Sequence, residues 1–226
     1  MLQRILEVEA METPEEARDY DAMGHSIVNR IFVQDASAHG VADGSAMLDV
    51  GTGTALIPIE FCEQHSTCSL VAIDLAAEML KLAAVNIERA GFAERIKLEQ
   101  VDGKRLHYAE GTFAAVVSNS IIHHIPTPAV VFAEMHRVCA DGGKLFVRDL
   151  RRPETEEELL RLVALYADGA NAHQRQLFTD SLYAALTLDE VRAMVGELGY
   201  AENSVVDTSD RHWTWRAKKP AGTRGV

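Results

Sequence analysis

The sequence predicts an α/β fold in which a doubly wound, mostly parallel sheet is covered by helices on both faces. Three observations predict it. From residue 46, short apolar runs alternate with amphipathic stretches, the signature of successive βαβ units. A glycine-rich turn, Gly51-Thr52-Gly53, directly follows the first apolar run, where such sheets approach a ligand. The last two apolar runs, 204–207 and 212–217, lie too close together for a crossover and read as an antiparallel hairpin.

The elements follow in order. AMLDV (46–50) reads as a buried strand, and GTGT opens a helix through about His65. SLVAID (69–74) is a second strand, and AAEMLKLAAVNIERAG is a helix closed by Gly91. RIKLEQVD (95–102) alternates cleanly as a third strand, and FAAVVSN (113–119) is a fourth. PAVVFAEMHRVCADGG reads as a helix ending at Gly142 and Gly143, with KLFVRDL (144–150) as the fifth strand. Residues 154–199 read as helical, broken near Asp168–Gly169 and around Thr187, where Thr187 and Glu190 have capping-box spacing. The first 40 residues read as one or two helices, too few for a core of their own. One domain is therefore expected, with a helical cover (1–45), a core (46–150), a helical region (151–200) and closing strands (201–217).

Composition sets limits on partners. The 226 residues carry 22 Lys+Arg against 34 Asp+Glu, a formal charge of −12, which disfavours a phosphate-binding surface and hence nucleic acid. The first 45 residues hold three basic and nine acidic side chains, while 211–226 hold five basic and none acidic. No apolar run approaches the roughly 20 residues of a membrane helix. The leading segment turns acidic too soon for a secretory signal. Cys62, Cys68 and Cys139 cannot pair completely, so a cytoplasmic location is expected.

The chemistry concentrates at the strand ends. Asp74 closes the second strand 21 residues after Gly53, where a carboxylate can accept from a ribose diol. A dinucleotide fingerprint would need a third glycine where Leu56 stands, and the charge of Asp49 would oppose a pyrophosphate. A ligand with a ribose, no phosphates and a positive centre fits better. S-adenosylmethionine has those properties.

The ordered motifs LDVGTGTA, VAIDLAAEML, VDGKRL, FAAVVSNSIIHHIP and GGKLFVRD resemble the class I S-adenosylmethionine-dependent methyltransferases, closest to the small-molecule branch of ubiquinone and menaquinone C-methyltransferases. The resemblance covers residues 46–150. It implies a Rossmann-like seven-stranded sheet whose last strand is antiparallel, in agreement with the hairpin. It implies that Asp49, Gly51, Thr52 and Gly53 cradle the methionine part of the cofactor and that Asp74 holds the ribose. Leu75 and Met79 would flank the adenine, Asp102 and Gly103 would meet its amino group, and Asn119 would border the cofactor.

Methyl transfer needs an aligned nucleophile and, for some acceptors, a base. His123 and His124 follow the fourth strand, where the family builds its acceptor site, and an imidazole removes protons near neutrality. Adjacent side chains usually point apart, so only one of the two is expected to face the cofactor. No metal site is expected, because neighbouring histidines rarely converge on one ion and no spaced third ligand is apparent. Arg148 is a candidate to pair with an anionic substrate group, with a salt bridge from this arginine-rich stretch (Arg148, Arg151, Arg152) to Asp149 or to the acids at 154–158 as the competing role. Tyr20, Met23, His25 and Asn29 lie in a leading segment that folds over the cofactor in relatives. His173 and Arg175 are weaker candidates, and Trp213 and Trp215 share one strand face as packing.

A small organic acceptor is expected, its atom open among oxygen, carbon, sulfur and nitrogen. Ser120-Ile121 replaces the proline-proline-aromatic run of nucleobase amine methylation, no Pro-Cys pair supports attack on a pyrimidine, and the cysteines are not placed to converge on arsenic. A monomer or homodimer is expected. The alternatives are a non-catalytic subunit that binds the same cofactor, and an NAD(P)-dependent oxidoreductase, which Asp49 and Leu56 disfavour.

Overall fold

A computed structural model describes residues 2–7, 13–21, 26–41 and 46–221. The strands are β1 (Ala46–Val50), β2 (Ser69–Asp74), β3 (Ile96–Gln100), β4 (Phe113–Asn119), β5 (Cys139–Leu150), β6 (Val205–Asp207) and β7 (His212–Lys218). They form one seven-stranded sheet in the order β3-β2-β1-β4-β5-β7-β6. β1 pairs in parallel with β2 (Val50 beside Ile73) and with β4 (Asp49 beside Val117). β2 pairs in parallel with β3, and the closing pair is antiparallel, with Val206 beside Thr214. The strand order turns around β1, the switch point beyond whose carboxyl end a ligand crevice opens in such sheets.

The helices are α1 (Pro14–Asp21), α2 (Ser26–Ala38), α3 (Leu56–Gln64), α4 (Ala77–Ala90), α5 (Pro128–Val138), α6 (Glu156–Tyr166), α7 (Ala172–Ala184) and α8 (Leu188–Glu197). Among the described residues no helix is long and apolar enough to cross a membrane. The chain divides into two compact units, one of residues 10–119, 130–147 and 216–226, the other of 1–9, 120–129 and 148–215.

In the first unit, α2 buries Asn29, Phe32, Val33 and Ala36, the spacing of one helical face. That face joins Met47, Phe61, Leu70, Ala83, Ile87 and Phe146 in one apolar cluster. Phe32 meets Phe146 edge to face at 5.2 Å. α4 ends as the sequence requires, with Gly91 left-handed at φ 78°.

In the second unit, Leu150, Leu159, Leu162, Leu182 and Ala185 form the cluster, with Leu2 and Phe178 against it. The Thr187 box is present: Thr187 Oγ1 accepts from Glu190 N at 3.2 Å, and Thr187 N donates to Glu190 Oε2 at 2.8 Å. Trp213 and Trp215 are fully buried, and Trp215 meets Tyr200 edge to face, so both pack as expected.

Two elements differ from the sequence reading. The leading segment contains α1 and α2, but residues 2–7 are non-helical, and Ile5 N donates to Tyr183 O at 3.1 Å. The fifth strand begins at Cys139, not at Lys144. Gly142 N donates to Lys219 O and Lys219 N donates to Gly143 O, both at 2.9 Å, so these glycines lie in a strand ladder rather than capping α5. Gly142 takes φ 75°, which bends the strand without breaking it.

A Cβ on Gly143 would stand 2.7 Å from Ala140 O, 2.8 Å from Cys139 Sγ and 2.9 Å from Ala114 O. A Cβ on Gly91 meets nothing within 4 Å and strains only its left-handed backbone. Gly143→Ala is expected to cost about 2–3 kcal/mol by overpacking and Gly91→Ala about 1 kcal/mol. Urea midpoints check the ranking, and equal losses would contradict the close approach at Gly143.

Candidate functional site

β1 ends in a turn built from left-handed residues: Gly51 at φ 77°, Gly53 at 55° and Ala55 at 63°. The end of β2 holds this turn. Gly51 N and Thr52 N both donate to Ile73 O, at 2.9 and 2.8 Å. Gly53 N donates to Asp74 Oδ2 at 2.8 Å, and Ala76 N to Asp74 Oδ1 at 2.9 Å. Burial pushes the Asp74 carboxyl above its ordinary range, against the pull of these backbone donors. Three successive N–H groups are thus already engaged. A pyrophosphate needs such donors free, which adds a structural objection to the dinucleotide alternative.

Asp49 behaves differently. It is 2 % exposed, and its Oδ2 is buried with no hydrogen-bond partner, as are the hydroxyls of Thr52 and Thr54. Burial pushes its carboxyl up to about 7, against the pull of the neighbouring Thr52 hydroxyl and with a smaller push from the charge of Asp74. An unpaired buried carboxylate oxygen is costly, and a bound ammonium would satisfy it. The residues therefore fit the amino group of S-adenosylmethionine, the ligand read from the sequence.

Other expected contacts surround the turn. The Tyr20 ring lies 3.6 Å from where a Cβ on Gly53 would stand, so α1 lays this side chain on the turn. Asn86 of α4 braces both, donating to Asp21 Oδ1 at 2.9 Å and to Thr54 O at 3.2 Å. Met79 is buried with Ala17, Ala76 and Tyr20, while Leu75 is exposed. Asp102 Oδ1 accepts from Lys104 N at 2.8 Å and pairs with Lys104 Nζ at 3.2 Å. A Cβ on Gly103 would stand in tight contact with Val50 Cγ1, at 3.2 Å. Asn119 is half-buried at the end of β4, and Asn29 is buried on α2. Met23 and His25 lie outside the described residues.

The histidine pair belongs to the second unit. Ser120, at φ 57°, donates its N–H to Arg148 O, and Ile122–His124 form a single 3-10 turn. Asp149 clamps that turn. Its Oδ2 accepts from Ile122 N at 2.5 Å and His123 N at 3.2 Å, and its Oδ1 accepts from His123 Nδ1 at 2.5 Å and Leu150 N at 2.6 Å.

The expectation that the two rings diverge is overturned. Their centroids are 4.2 Å apart, and both face Glu7: Oε1 lies 3.4 Å from His123 Nε2 and 3.2 Å from His124 Nδ1. The tight turn, clamped on one side by Asp149, presents successive rings together. The third group that the sequence did not reveal is therefore Glu7. Arg4 fixes its segment, donating from Nη2 to His123 O and Ile125 O and from Nε to Ala184 O. No periodicity marks Arg4 or Glu7, whose partners lie over a hundred residues away in the chain.

The electrostatics of this cluster follow from burial and pairing. Burial opposes charge on His123, but Asp149 and Glu7 outweigh it and hold the imidazole above its usual value. Burial likewise opposes the Asp149 charge, and His123 outweighs it, leaving that carboxyl below its ordinary range. Burial raises Glu7.

Arg148 is buried near the end of β5. Its Nε donates to Thr214 Oγ1 at 2.9 Å in a buried setting. Arg151 pairs with Glu158 at 3.0 Å, a structural bridge of the kind that competed with a substrate role, and Arg152 pairs with Glu190 at 2.7 Å. His173 and Arg175 are exposed on α7.

Residues 48–147 match the family described as a methyltransferase domain. The chain is 33% identical to a phosphatidylethanolamine N-methyltransferase of Cereibacter sphaeroides over 49% of its own length and 53% of that protein. It is 25% identical to a ubiquinone/menaquinone biosynthesis C-methyltransferase of Marinomonas sp. over 83% of its length and 80% of that protein. The crystal structure of an S-adenosylmethionine-dependent methyltransferase from Aquifex aeolicus shares the fold, with a TM-score of 0.67 at 15% identity, covering 92% of this chain and 100% of that one. The chain spans about half the length of the first relatives it matches.

Replacing Asp149 by Asn would bury an amide against backbone N–H donors. Asp149→Asn is expected to cost about 2–4 kcal/mol in urea unfolding. It should also remove the strongly shifted His123 ring N–H signal from the proton NMR spectrum. A variant that keeps both stability and signal would refute the clamp.

Proposed function

We propose that the chain, whose residues 48–147 match a methyltransferase domain, is an S-adenosylmethionine-dependent methyltransferase that methylates a small organic acceptor. The observation that carries the assignment of the cofactor's place is the unpaired Asp49 Oδ2 beside a turn whose N–H groups are engaged. When bound, the cofactor supplies an electrophilic methyl on sulfur, which a nucleophile displaces in line.

We assign the roles of this chain's residues as follows. Asp49 receives the ammonium, with Gly51, Thr52 and Gly53 allowing the close approach. Asp74 receives the ribose hydroxyls through lone pairs not taken by its backbone donors, among them Gly53 N and Ala76 N. Leu75 and Met79 border the adenine, Asp102 and Gly103 meet its amino group, and Asn119 and Tyr20 complete the enclosure. The acceptor chemistry is assigned to the His123–His124 segment. Arg148, engaged with Thr214, is given a scaffold role.

The acceptor atom is proposed from the relatives only as a class. The names of these relatives point to quinone rings and to ethanolamine-type amines, so a quinol and a phospholipid headgroup amine head the panel of acceptors to test, beside thiols and phenols.

Calorimetry with S-adenosylhomocysteine and NADH, followed by detection of released S-adenosylhomocysteine across that panel, tests the reading. Binding of the first and not the second is expected, and Asp74→Ala should weaken it more than His123→Ala does. Binding of NADH alone would sink the proposal, and cofactor binding with persistent inactivity would favour the non-catalytic alternative.

Asp49 adds a pH dependence. A carboxyl raised to about 7 is protonated below that value in the free protein and must lose its proton to hold an ammonium. Affinity for S-adenosylhomocysteine should therefore fall as pH drops through 7, approaching about tenfold per unit. Asp49→Asn should bind weakly with a flat profile. An unchanged slope in that variant would place the titrating group elsewhere.

A further inference from the structure

We propose that Glu7, His123 and His124 form a binding site for a divalent transition-metal ion, with zinc the best match. These three side chains each present one ligand atom, all within 4.8 Å of one another. The two separations from Glu7 Oε1 match tetrahedral coordination. Bonds of about 2.0–2.1 Å to a tetrahedral zinc place neighbouring donor atoms about 3.3 Å apart, whereas octahedral coordination at the same bond length needs about 2.9 Å. The separations from Glu7 Oε1 are 3.4 Å to His123 Nε2 and 3.2 Å to His124 Nδ1.

These contacts are not hydrogen bonds. Glu7 Oε1 is buried and has no hydrogen-bond partner, although two ring nitrogens face it. The other oxygen, Oε2, is 3.3 Å from Ser181 Oγ, which orients the carboxylate. Asp149 accepts from His123 Nδ1, so the lone pair of this imidazole lies on Nε2, toward Glu7. A carboxylate behind a ligating histidine is the arrangement that fixes tautomer and ring orientation in metal sites.

Charge also balances. Glu7 and Asp149 together match a divalent ion. The nearby Arg4 guanidinium donates to the carbonyls of His123, Ile125 and Ala184 rather than to either carboxylate. Two imidazoles and a carboxylate suit zinc, and three protein ligands leave a fourth position for water or for a hydroxyl or thiol of a small molecule. The site needs the segment of residues 2–7 in place, so bound metal would stabilise that docking.

Titration of the metal-stripped full chain with Co²⁺ tests this directly. We expect the intense visible bands of four-coordinate cobalt to saturate at one equivalent and to disappear on adding Zn²⁺. Glu7→Gln and His124→Ala should each weaken binding by more than about a hundredfold, and Asp149→Asn, behind the ligand, by about tenfold. Unchanged circular dichroism spectra of Glu7→Gln and His124→Ala show that these variants fold, and the metal readout keeps the outcome separate from the methyltransferase reading. Absence of a four-coordinate spectrum, or binding unchanged in both variants, would overturn the proposal and leave only adventitious binding elsewhere.

Discussion

The grip of the β2 carboxyl end on the turn after β1 is the constraint on which the candidate cofactor site depends. Ile73 O and the Asp74 carboxylate together hold the N–H groups of Gly51, Thr52 and Gly53. That grip fixes a backbone with three left-handed residues in five, one of them an alanine, which would otherwise cost free energy without return. It also consumes the donors that a phosphate would seek. The register that sets Val50 beside Ile73 is therefore a chemical selection as well as a pairing. It turns a glycine-rich loop of the anion-binding kind into one whose remaining polar capacity is an acceptor.

The same device recurs at β5. Asp149 closes on the N–H groups of Ile122, His123 and Leu150, so a strand-end carboxylate again shapes the turn of another segment. Asp49 stands apart from both. It is as buried as Asp149, yet its Oδ2 receives nothing from the described residues. Strand-end position alone thus does not separate a scaffold carboxylate from a ligand-binding one.

Legibility of the sequence follows the range of the interaction. Period-two and helical patterns reported neighbours a few residues apart, and so the alternating elements, the Thr187 box and the Gly91 stop were readable. The turn at Gly51–Gly53 and its partner Asp74 were readable because the βαβ repeat spaces them regularly. Gly142 and Gly143 misled, since glycine serves equally as a helix stop and as a bend in a strand, and only the distant Lys219 decides between them. Glu7 was invisible for the same reason. Its place depends on Arg4 reaching the carbonyls of residues 123, 125 and 184, and nothing in local pattern encodes that reach. Adjacent histidines were misread by applying strand or extended geometry to a 3-10 turn.

Among the described residues, buried carboxylate oxygens without donors occur at two places, Asp49 and Glu7, and folding alone does not explain either. Each is held in position by well-satisfied neighbours: Asp49 by the β1 ladder, Glu7 by a segment pinned through Arg4 and Ile5. Desolvating such an oxygen costs on the order of 1–3 kcal/mol, and in both cases burial raises the carboxyl's proton affinity. A chain selected for stability alone would carry an amide or an apolar side chain there. The cost is sensible when a cation completes the shell, an ammonium at Asp49 and a metal ion at Glu7. Each unit would then be more stable with its own ligand than without it, because binding removes a penalty already present in the free fold.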